Sequence, residues 1–370
     1  MRIVIFTGPT GGHFYPALAF AQAFKEKHPE GALLFVTSQR GRPLTQKAGA
    51  RLDARFESLP DFPFPNVRLV DFIVGFPSFL LKLAQAFYKT GKIFEEFKPD
   101  LTVGFGSYAS GPAILWSRWR KTPSLMHEQN RTMGQSNTWA LGFVDRAALS
   151  FEPDEHPIQN PKIMVTGLPL RRALVDRALA PSASRARLFG TDRFRLLILG
   201  GSQGSRALNR LWGACFSGLP REEKMKLAVI HITGAQDYEN TKAMYLADGV
   251  EAQVFSFHDG MEELFPQADL AITRAGAGTL FELALFGLPS VVVPYPHAGG
   301  HQDSNARYFE SKGGVVRIPE AEATGERLAR EIMTLMKTPV LREQMSNHLR
   351  KLARPEAAGM LVEAAEALIP

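Results

Sequence analysis

The sequence predicts an α/β protein made of two Rossmann-like, doubly wound domains that face a cleft. Three observations predict this fold class: the chain has 370 residues, short apolar runs alternate with helix-length segments, and two glycine-rich turns each follow such a run. Single domains usually contain about 100–200 residues, so two domains are expected. The alternation is typical of parallel βα units, in which a helix connects each strand to the next.

The predicted strands are short, rich in β-branched residues and present in both halves of the chain. In the first half they are Ile3–Phe6, Leu33–Val36, Leu101–Phe105, Leu125–His127 and Lys162–Val165. In the second half they are Arg195–Leu199, Leu227–Ile232, Gln253–Phe257, Leu270–Thr273 and Ser290–Pro294. Each half opens with a strand, a glycine-rich turn and a helix, which indicates two copies of one architecture.

Residues 167–169, Gly-Leu-Pro, mark the predicted junction, because glycine and proline together interrupt regular elements. The predicted domains are residues 1–166 and 167–353. Residues 354–370 follow as a C-terminal segment, in which Met360, Leu361, Ala364 and Leu368 have helical spacing. This helix could pack on either domain, and we expect it on the first.

Composition excludes several classes of protein. Hydrophobic residues make up 45% and charged residues 22%, as in ordinary globular domains rather than disordered chains. Cys215 is the only cysteine, so no internal disulfide or zinc cluster is expected. The apolar run Ile3–Phe6 is too short for a signal peptide, and longer uncharged runs are broken by glycine and proline. These features predict a cytoplasmic protein without a transmembrane segment.

The net charge of +6 favours an anionic partner. Charge alone leaves nucleic acid, a phosphate-bearing substrate and a membrane surface as alternatives.

Glycine-rich loops follow the first predicted strand of each domain. They are residues 8–13, Gly-Pro-Thr-Gly-Gly-His, and residues 200–205, Gly-Gly-Ser-Gln-Gly-Ser. Such loops let backbone amides approach a phosphate at a helix N-terminus. Each loop alone is equally compatible with a tight structural turn. Together they predict a ligand site, because ligands of open α/β sheets bind beyond the carboxyl ends of the strands.

A third segment, residues 274–282, follows the predicted strand Leu270–Thr273 and leads into a helix. Its glycines expose backbone amides, and Thr279 adds a hydroxyl. Glu282 offers a carboxylate that can accept hydrogen bonds from both ribose hydroxyls of a nucleoside. The alternative is a surface carboxylate near a positive helix terminus.

Two further polar loops follow predicted strands. Residues 294–305 hold His297, His301, Gln302 and Asp303, of which the last two are candidates for sugar hydroxyls. Residues 127–130, His-Glu-Gln-Asn, follow the loop 106–112 along the chain. In a doubly wound sheet this order would place Glu128, Asn130, Tyr108 and Ser110 near His13, although a polar structural turn is the alternative.

These five segments, in this order and spacing, resemble the MurG family over Ile3 to at least Ala306. The matching motifs are Gly-Gly-His, Gly-Ser-Tyr-x-Ser-Gly-Pro, His-Glu-Gln-Asn, Gly-Gly-Ser-Gln-Gly, Arg-x-Gly-Ala-x-Thr-x-x-Glu and His-Gln-x-x-Asn-Ala. The resemblance implies the two-domain GT-B fold, with the acceptor on the N-terminal domain and UDP-N-acetylglucosamine on the C-terminal one. The implied acceptor is a polyprenyl-diphosphate-linked muramyl-pentapeptide.

The resemblance also implies the residues that bind the donor. They are Thr10, Gly11, Gly12, Asn130, Arg171, Ser202, Gln203, His258, Ala277, Gly278, Thr279, Leu280, Glu282 and Gln302. We assign His13, Tyr108 and Ser110 to the acceptor. The chain departs from the family at Pro9, where glycine is usual, and at His258, where isoleucine is common at a position that contacts uracil through its main chain.

The family reaction inverts the anomeric centre and needs a base and a sink for the charge of the leaving diphosphate. We assign the base to His13, because an imidazole with an unperturbed pKa of about 6.5 is half-ionised near neutral pH. Glu128 is the alternative base, and Asn130 completes the catalytic set. The sink would be the amides at Ser202 and residues 277–279, so no metal or other cofactor is obligatory.

Residues 72–94 combine aromatic and aliphatic side chains with lysines and contain no acidic residue, as expected of a helix on an anionic membrane surface. The proposed membrane residues are Phe72, Ile73, Phe76, Phe79, Leu80, Lys82 and Trp116. Packing of these aromatic residues in the core is the alternative. The prediction is a peripheral protein at the cytoplasmic face of the membrane that binds no nucleic acid.

Three other functions remain open at this point. The chain could be another GT-B lipid glycosyltransferase, because fold and donor site do not determine the acceptor. It could be a UDP-N-acetylglucosamine 2-epimerase, which shares the architecture, or a non-catalytic sensor of a nucleotide sugar.

Overall fold

The computed structural model describes residues 1–49, 52–62, 69–153, 160–180, 193–201, 204–297 and 299–369, without the side chains of residues 46–49 and 69–75. The chain divides into two compact units. The N-terminal unit contains Met1–Arg172 and Pro355–Pro370, and the C-terminal unit contains Ala173–Arg354. The chain therefore passes from the first unit to the second after Arg172, and its last helix belongs to the first unit.

The N-terminal unit is built on a parallel sheet with the order β3-β2-β1-β4-β5-β6-β7. The strands are β1 (Arg2–Phe6), β2 (Ala32–Ser38), β3 (Arg55–Leu59), β4 (Leu101–Gly104), β5 (Ser124–Glu128), β6 (Arg146–Leu149) and β7 (Ile163–Val165). Phe6 of β1 pairs with Val36 of β2 on one side and with Gly104 of β4 on the other. The order reverses between β1 and β4, where open sheets of this type bind ligands.

Helices cover both faces of this sheet and bury its apolar strands. They are α1 (Gly11–Lys27), α2 (Arg42–Gly49), α3 (Leu69–Phe97), α4 (Ser110–Arg120), α5 (Gln135–Ala140) and α15 (Ala357–Glu366). On one face, Phe14 and Phe20 of α1 pack with Ile5 and with Leu361 of α15. Glu366 at the end of α15 forms an ion pair with Lys27 and a hydrogen bond with His28, each at 2.6 Å. These contacts attach the C-terminal segment to the first unit.

The C-terminal unit has the same architecture, with the parallel order β10-β9-β8-β11-β12-β13. Its strands are β8 (Phe194–Leu199), β9 (Leu227–Ile232), β10 (Glu251–Phe255), β11 (Leu270–Thr273), β12 (Ser290–Val292) and β13 (Val315–Arg317). Its helices are α6 (Arg172–Leu179), α7 (Arg206–Gly218), α8 (Arg221–Lys224), α9 (Tyr238–Asp248), α10 (Met261–Leu264), α11 (Ala277–Phe286), α12 (His301–Ser311), α13 (Gly325–Lys337) and α14 (Pro339–Leu352). The order reverses between β8 and β11.

The core of the C-terminal unit contains a buried polar network. The Trp212 indole donates a hydrogen bond to the Tyr245 hydroxyl at 2.6 Å, and this hydroxyl lies 3.0 Å from Nδ1 of His231. Nε2 of His231 lies 3.2 Å from the side-chain oxygen of Asn209. Burial lowers the pKa of His231 to about 3, so its ring is neutral near pH 7. The network joins α7, β9 and α9.

The two doubly wound sheets confirm the predicted fold class. Three strands were missed: β3, β6 and β13. The sequence of β3, Arg-Phe-Glu-Ser-Leu, is half polar because the strand lies at a sheet edge, and β6 is rich in alanine, which has low β-propensity. Strand β13 has only three residues. Within the described residues, no helix has both the length and the hydropathy needed to span a membrane.

Candidate functional site

Three loops meet at the carboxyl ends of the central strands of the N-terminal unit. They follow β1, β4 and β5, which are neighbours in the sheet. Thr10 caps α1, and Gly11 and Gly12 form the first turn of this helix. His13 comes next on α1 and is partly buried. The structure therefore places the first glycine-rich loop at the point where the strand order reverses, between β1 and β4.

The ring of His13 is held by the loop after β4. Its Nδ1 lies 2.9 Å from the carbonyl oxygen of Phe105 and 3.2 Å from Oε1 of Gln129. A carbonyl oxygen only accepts hydrogen bonds, so Nδ1 carries a proton and donates it. In the neutral ring Nε2 is then the basic nitrogen. This is the protonation state that a general base at His13 needs.

Gly8 and Gly106 have no side chain, and this provides the space that the His13 ring occupies. A Cβ atom on Gly8 would lie 2.6 Å from Cδ2 of His13 and 2.9 Å from Cβ of Ser107. Gly106 has a φ of +78°, and a Cβ there would lie 3.2 Å from Nδ1 of His13. The loops after β1 and β4 thus need glycine where they approach the imidazole.

Glu128 is buried at the end of β5 and organises the loop that follows it. Its Oε1 accepts hydrogen bonds from the backbone and side-chain amides of Asn130, at 2.9 and 3.3 Å. Its Oε2 accepts from the Gly134 amide at 3.0 Å and from the Asn137 side chain at 2.8 Å. Four donors on one buried carboxylate indicate a group that fixes the conformation of residues 130–137.

The other residues predicted in this unit have different surroundings. The Tyr108 hydroxyl donates to Asp61 at 2.8 Å, and burial with this carboxylate raises its pKa. Ser110 is buried, and its hydroxyl donates to the Gly106 carbonyl at 2.8 Å, so it stabilises the turn before α4. The guanidinium of Arg171 stacks on the Tyr15 ring of α1 at 4.8 Å.

In the C-terminal unit the loop after β8 is also shaped by close packing. A Cβ on Gly200 would lie 2.4 Å from the Ser205 amide, and Gly204 has a φ of +74°. Ser205 caps α7 by accepting from the Leu208 amide at 3.4 Å. Ser202 and Gln203, both predicted to bind the donor, lie outside the described residues.

Arg274 is hydrogen-bonded to the three loops that follow β8, β12 and β13. Its side chain is buried, with an exposed fraction of 5%. Its Nε donates to the Ser205 hydroxyl at 3.1 Å, and its Nη1 donates to the Val293 carbonyl at 3.0 Å and to the carboxylate of Glu320. The sequence motif contained Arg274, but its positioning role depends on contacts distant in sequence.

The N-terminus of α11 presents the backbone amides of Ala277, Gly278 and Thr279, the first residues of the helix. These amides precede the first intrahelical hydrogen bonds, which makes the helix end suited to an anion. Leu280 is buried in the core, whereas Thr279 and Glu282 are partly exposed.

Two residues of α12 brace the segment before α11. Gln302 Oε1 accepts hydrogen bonds from the Ala275 amide at 3.1 Å and the Tyr295 amide at 2.9 Å. The Asn305 side chain donates to the Ala275 carbonyl at 3.3 Å. Gln302 therefore fixes two loops through its carbonyl group.

Asp303 and His258 complete the predicted set in this unit. The Asp303 carboxylate pairs with Arg307 at 2.7 Å and Arg317 at 2.9 Å. Burial opposes ionisation of Asp303, but these two guanidinium groups lower its pKa. The His258 ring packs edge-on against Phe255 at 4.9 Å. Its Nδ1 is buried and has no hydrogen-bond partner among the described residues.

One of the residues proposed to contact the membrane, Trp116, is buried in the structure instead. Trp116 is only 8% exposed, because its ring packs with Phe87 and Phe94 and its indole donates to the Phe87 carbonyl at 2.8 Å. On the same helix, Trp119 is exposed, at 68%. Phe76 and Phe79 are partly exposed, and Leu80 and Lys82 are exposed. The side chains of Phe72 and Ile73 lie outside those described.

Trp119 belongs to an exposed apolar and basic surface formed by α3 and α4. Leu80, Leu81 and Tyr88 of α3 are exposed, as is Leu115 of α4. The Arg120 guanidinium lies 5.8 Å from the Trp119 ring, and the Lys92 ammonium lies 5.0 Å from the Tyr88 ring.

Among the residues that the structure describes, no group of three or more His, Cys, Asp or Glu side chains could hold a metal ion.

Comparison with known sequences matches two families to the chain. The Glycosyltransferase family 28 N-terminal domain matches residues 3–149, and the Glycosyltransferase family 28 C-terminal domain matches residues 195–360.

Two curated relatives carry the name UDP-N-acetylglucosamine--N-acetylmuramyl-(pentapeptide) pyrophosphoryl-undecaprenol N-acetylglucosamine transferase. The protein of Geobacter metallireducens is 35% identical over 365 residues, 98% of this chain and 97% of that protein. The protein of Desulfotalea psychrophila is 34% identical over 375 residues, with 100% and 97% coverage.

Solved structures show the same architecture. The crystal structure of Acinetobacter baumannii MurG superposes with a TM-score of 0.75 at 25% identity, covering 99% of this chain and 100% of that chain. The UDP-GlcNAc 2-epimerase from Neisseria meningitidis, bound to UDP-GlcNAc, has a TM-score of 0.67 at 13% identity, covering 99% and 100%. This second likeness concerns the fold alone.

Proposed function

Because the chain belongs to glycosyltransferase family 28 and, within it, to the MurG family, we propose that it transfers N-acetylglucosamine to a lipid-linked acceptor. The donor is UDP-N-acetylglucosamine. The acceptor is the 4-hydroxyl of N-acetylmuramyl-pentapeptide diphosphate carried on a polyprenol, and the reaction belongs to peptidoglycan synthesis. The observation that carries this proposal is the full-length similarity to transferases with that name, and it is supported by a histidine at the switch point whose Nδ1 is hydrogen-bonded to a carbonyl oxygen.

We propose that the C-terminal unit binds the nucleotide. The amides of residues 277–279 and the N-terminus of α11 stabilise the negative charge of the leaving diphosphate. Glu282, one turn into α11, accepts hydrogen bonds from the ribose hydroxyls. Arg274, Gln302 and Asn305 keep these loops in place through the contacts described above. Backbone dipoles that are already oriented stabilise developing charge without reorganisation.

His13 acts as the general base in the N-terminal unit. Its protonated Nδ1 leaves Nε2 to accept the proton of the attacking hydroxyl while UDP departs from the opposite face of the sugar. Glu128 is less suited to this step, because its two oxygens already accept four hydrogen bonds from the following loop. Glu128 instead sets the position of Asn130.

We propose that the exposed surface of α3 and α4 binds an anionic membrane, which brings the site to a lipid-linked acceptor. Aromatic and leucine side chains would enter the interface, and Lys82, Lys92 and Arg120 would attract anionic headgroups. The protein would thus act as a peripheral protein at the cytoplasmic face, without binding nucleic acid.

The test is transfer of labelled N-acetylglucosamine from its UDP donor to the lipid-linked muramyl-pentapeptide diphosphate. We expect a labelled disaccharide-lipid product, and we expect it also with a chelator present, since backbone amides stabilise the leaving group. Donor incubated without acceptor should remain unchanged. Conversion of the donor to its 2-epimer, or binding of the donor without any transfer, would contradict the proposal.

A further inference from the structure

Beyond His13 itself, the N-terminal unit contains a chain of buried hydrogen bonds that ends on this residue. It begins at the carbonyl of Gly167, which follows β7, and passes through His127 and Gln129. His127 is fully buried, and Gln129 has only 3% of its surface exposed. Buried polar groups of this kind are expected to have defined partners.

The orientation of the Gln129 amide follows from two carbonyl groups. One side-chain atom lies 3.3 Å from the Phe105 carbonyl oxygen and 3.1 Å from the His127 carbonyl oxygen. Both oxygens only accept hydrogen bonds, so this atom must be Nε2, the donor. Oε1 of Gln129 is therefore the atom that lies 3.2 Å from Nδ1 of His13, and it accepts a hydrogen bond from this nitrogen.

The protonation of His127 follows in the same way. Its Nε2 lies 3.2 Å from the Gly167 carbonyl oxygen and must carry a proton. Its Nδ1 lies 3.2 Å from Nε2 of Gln129 and accepts from it, sharing the two protons of that amide with the carbonyl oxygens of Phe105 and His127. Burial lowers the pKa of His127 to about 4, so the ring keeps one proton near pH 7. With its single proton on Nε2, the His127 ring can donate to the Gly167 carbonyl and accept from the Gln129 amide.

We propose that Gln129 and His127 are positioning residues that, together with the Phe105 carbonyl, hold the tautomer of His13, so that Nδ1 is protonated and Nε2 is the basic nitrogen. The direction of each hydrogen bond is set by a backbone carbonyl, at Gly167, His127 or Phe105. The two histidines consequently have opposite tautomers, with the proton on Nδ1 in His13 and on Nε2 in His127. The catalytic part of this inference depends on the proposed transferase function, whereas the tautomers depend on the hydrogen bonds alone.

The direct test is NMR spectroscopy of the full-length protein labelled with ¹⁵N-histidine, since protonated and unprotonated ring nitrogens have well-separated shifts. At a pH where both rings are neutral, His13 should show a protonated Nδ1 and His127 a protonated Nε2. The His13→Ala variant assigns the His13 signals. A His13 ring protonated on Nε2 would overturn the proposal.

The Gln129→Met variant keeps the approximate volume of the side chain but removes its hydrogen bonds to the His13 ring, the His127 ring and the carbonyl groups of Phe105 and His127. We expect the His13 signals to shift, because Nδ1 loses one of its two acceptors and only the Phe105 carbonyl still orients the ring. We also expect kcat to fall about 10- to 100-fold, as for other residues that orient a functional histidine, with little change in the KM for the donor. A variant with wild-type kcat and an unchanged His13 spectrum would contradict the positioning role.

Ser117→Ala provides a matched control in the same unit. The Ser117 hydroxyl is buried and lies 2.8 Å from the Thr102 hydroxyl and 2.9 Å from the Ala113 carbonyl oxygen, and it takes no part in the hydrogen bonds to His13. Its removal should lower stability without changing the His13 signals or kcat. Opposite tautomers of His13 and His127 in a wild-type protein without transferase activity would overturn the proposed function but support the proposed tautomers. Transfer activity with a His13 ring protonated on Nε2 would support the proposed function but overturn the proposed tautomers.

Discussion

Arg274 and Glu320 form an ion pair in which the guanidinium is buried and the carboxylate is about two-thirds buried. The same guanidinium donates to the Ser205 hydroxyl and to the carbonyl groups of Val293 and Pro294. One side chain thus joins the cap of α7 to the loop after β12. The pair matters because both loops belong to the proposed nucleotide site.

We expect Glu320→Ala to lower the free energy of unfolding by about 1–3 kcal/mol, because the buried guanidinium of Arg274 loses a charged acceptor. We also expect UDP to bind about tenfold more weakly, which corresponds to 1.4 kcal/mol, because the loops held by Arg274 become less ordered. Chemical denaturation and calorimetric titration with UDP measure the two effects.

Glu322→Ala is the control for this prediction. Glu322 also pairs with an arginine, Arg327, but the pair is on the surface. Exposed ion pairs contribute about 0–1 kcal/mol, so the control should bind UDP like the wild type. Equal effects of the two variants on UDP binding would argue against a role of Arg274 in the site.

The variants His13→Ala and Glu128→Gln separate the two candidate bases. Loss of a general base lowers kcat by about 10²- to 10⁴-fold, and we expect this range for His13→Ala. Glu128→Gln places an amide where a carboxylate oxygen accepts from Gly134 and Asn137, so the following loop loosens and activity falls less. Steady-state kinetics across a pH series checks both variants.

The acidic limb of the pH profile of kcat/KM identifies the base, because activity falls as the base becomes protonated. We expect this limb to persist in Glu128→Gln and to disappear from the residual activity of His13→Ala. The opposite pattern would assign the base to Glu128.

The contact between Gly8 and His13 leads to a third prediction. A methyl group at residue 8 would lie 2.6 Å from the imidazole of His13, so Gly8→Ala must displace the ring. A displacement of about 1 Å in a catalytic group can reduce turnover about 100-fold. We expect a loss of kcat of this order, measured by the transfer assay, while UDP affinity remains close to that of the wild type.

Gly359→Ala serves as the matched control in the same unit. Gly359 lies in α15, and a Cβ there would have no heavy atom within 4 Å. Alanine is favoured over glycine in helices by about 1 kcal/mol, so this variant should be slightly more stable and fully active. A Gly8→Ala variant with normal turnover would show that the loop adapts without moving the base.

Much of this architecture could be predicted from the sequence, because buried parallel strands are continuous apolar runs and their carboxyl ends carry the glycine-rich loops. Strand β3 could not, since an edge strand with alternating polar residues lacks that signal. The positioning role proposed for Gln129 could not be predicted either, although the residue lies in the His-Glu-Gln-Asn motif. The hydrogen bonds that support it involve Phe105 and Gly167, which are distant in sequence and come close only in the folded sheet.

The tryptophans of α4 show a similar limit. Trp116 and Trp119 lie three positions apart in a segment that also contains Arg118, Arg120 and Lys121, so composition does not distinguish a core position from a surface one. Packing against Phe87 and Phe94 of α3 buries the first and leaves the second exposed.

Two buried histidines predict how stability depends on pH. Burial lowers the pKa of His127 to about 4 and that of His231 to about 3, whereas in the unfolded chain a histidine has a pKa of about 6.5. Below about pH 6.5 the unfolded chain therefore binds protons that the folded protein does not. The stabilising contribution is complete above pH 6.5 and is lost as the pH falls towards 4.

For each histidine, the free energy of unfolding should decrease by about 1.4 kcal/mol per pH unit as the pH falls through this window. We expect His231→Gln to remove one such contribution, because glutamine does not titrate. Urea denaturation between pH 7 and pH 4.5 measures the slope for both proteins. A free energy of unfolding that stays constant across this range would contradict the buried neutral state of these rings.

The contrast between Trp116 and Trp119 gives a test of membrane binding. Trp119→Ser removes an exposed aromatic ring from the surface of α3 and α4, so flotation with anionic liposomes should fall severalfold while thermal stability stays near that of the wild type. Trp116→Phe is the comparison: it removes the hydrogen bond to the Phe87 carbonyl and should lower stability while leaving liposome binding intact. Binding should also weaken as salt is added, because lysine and arginine side chains contribute through charge. Flotation that is insensitive to both salt and the loss of Trp119 would exclude this surface as the membrane contact, since neither its charge nor its aromatic side chain would then contribute to binding.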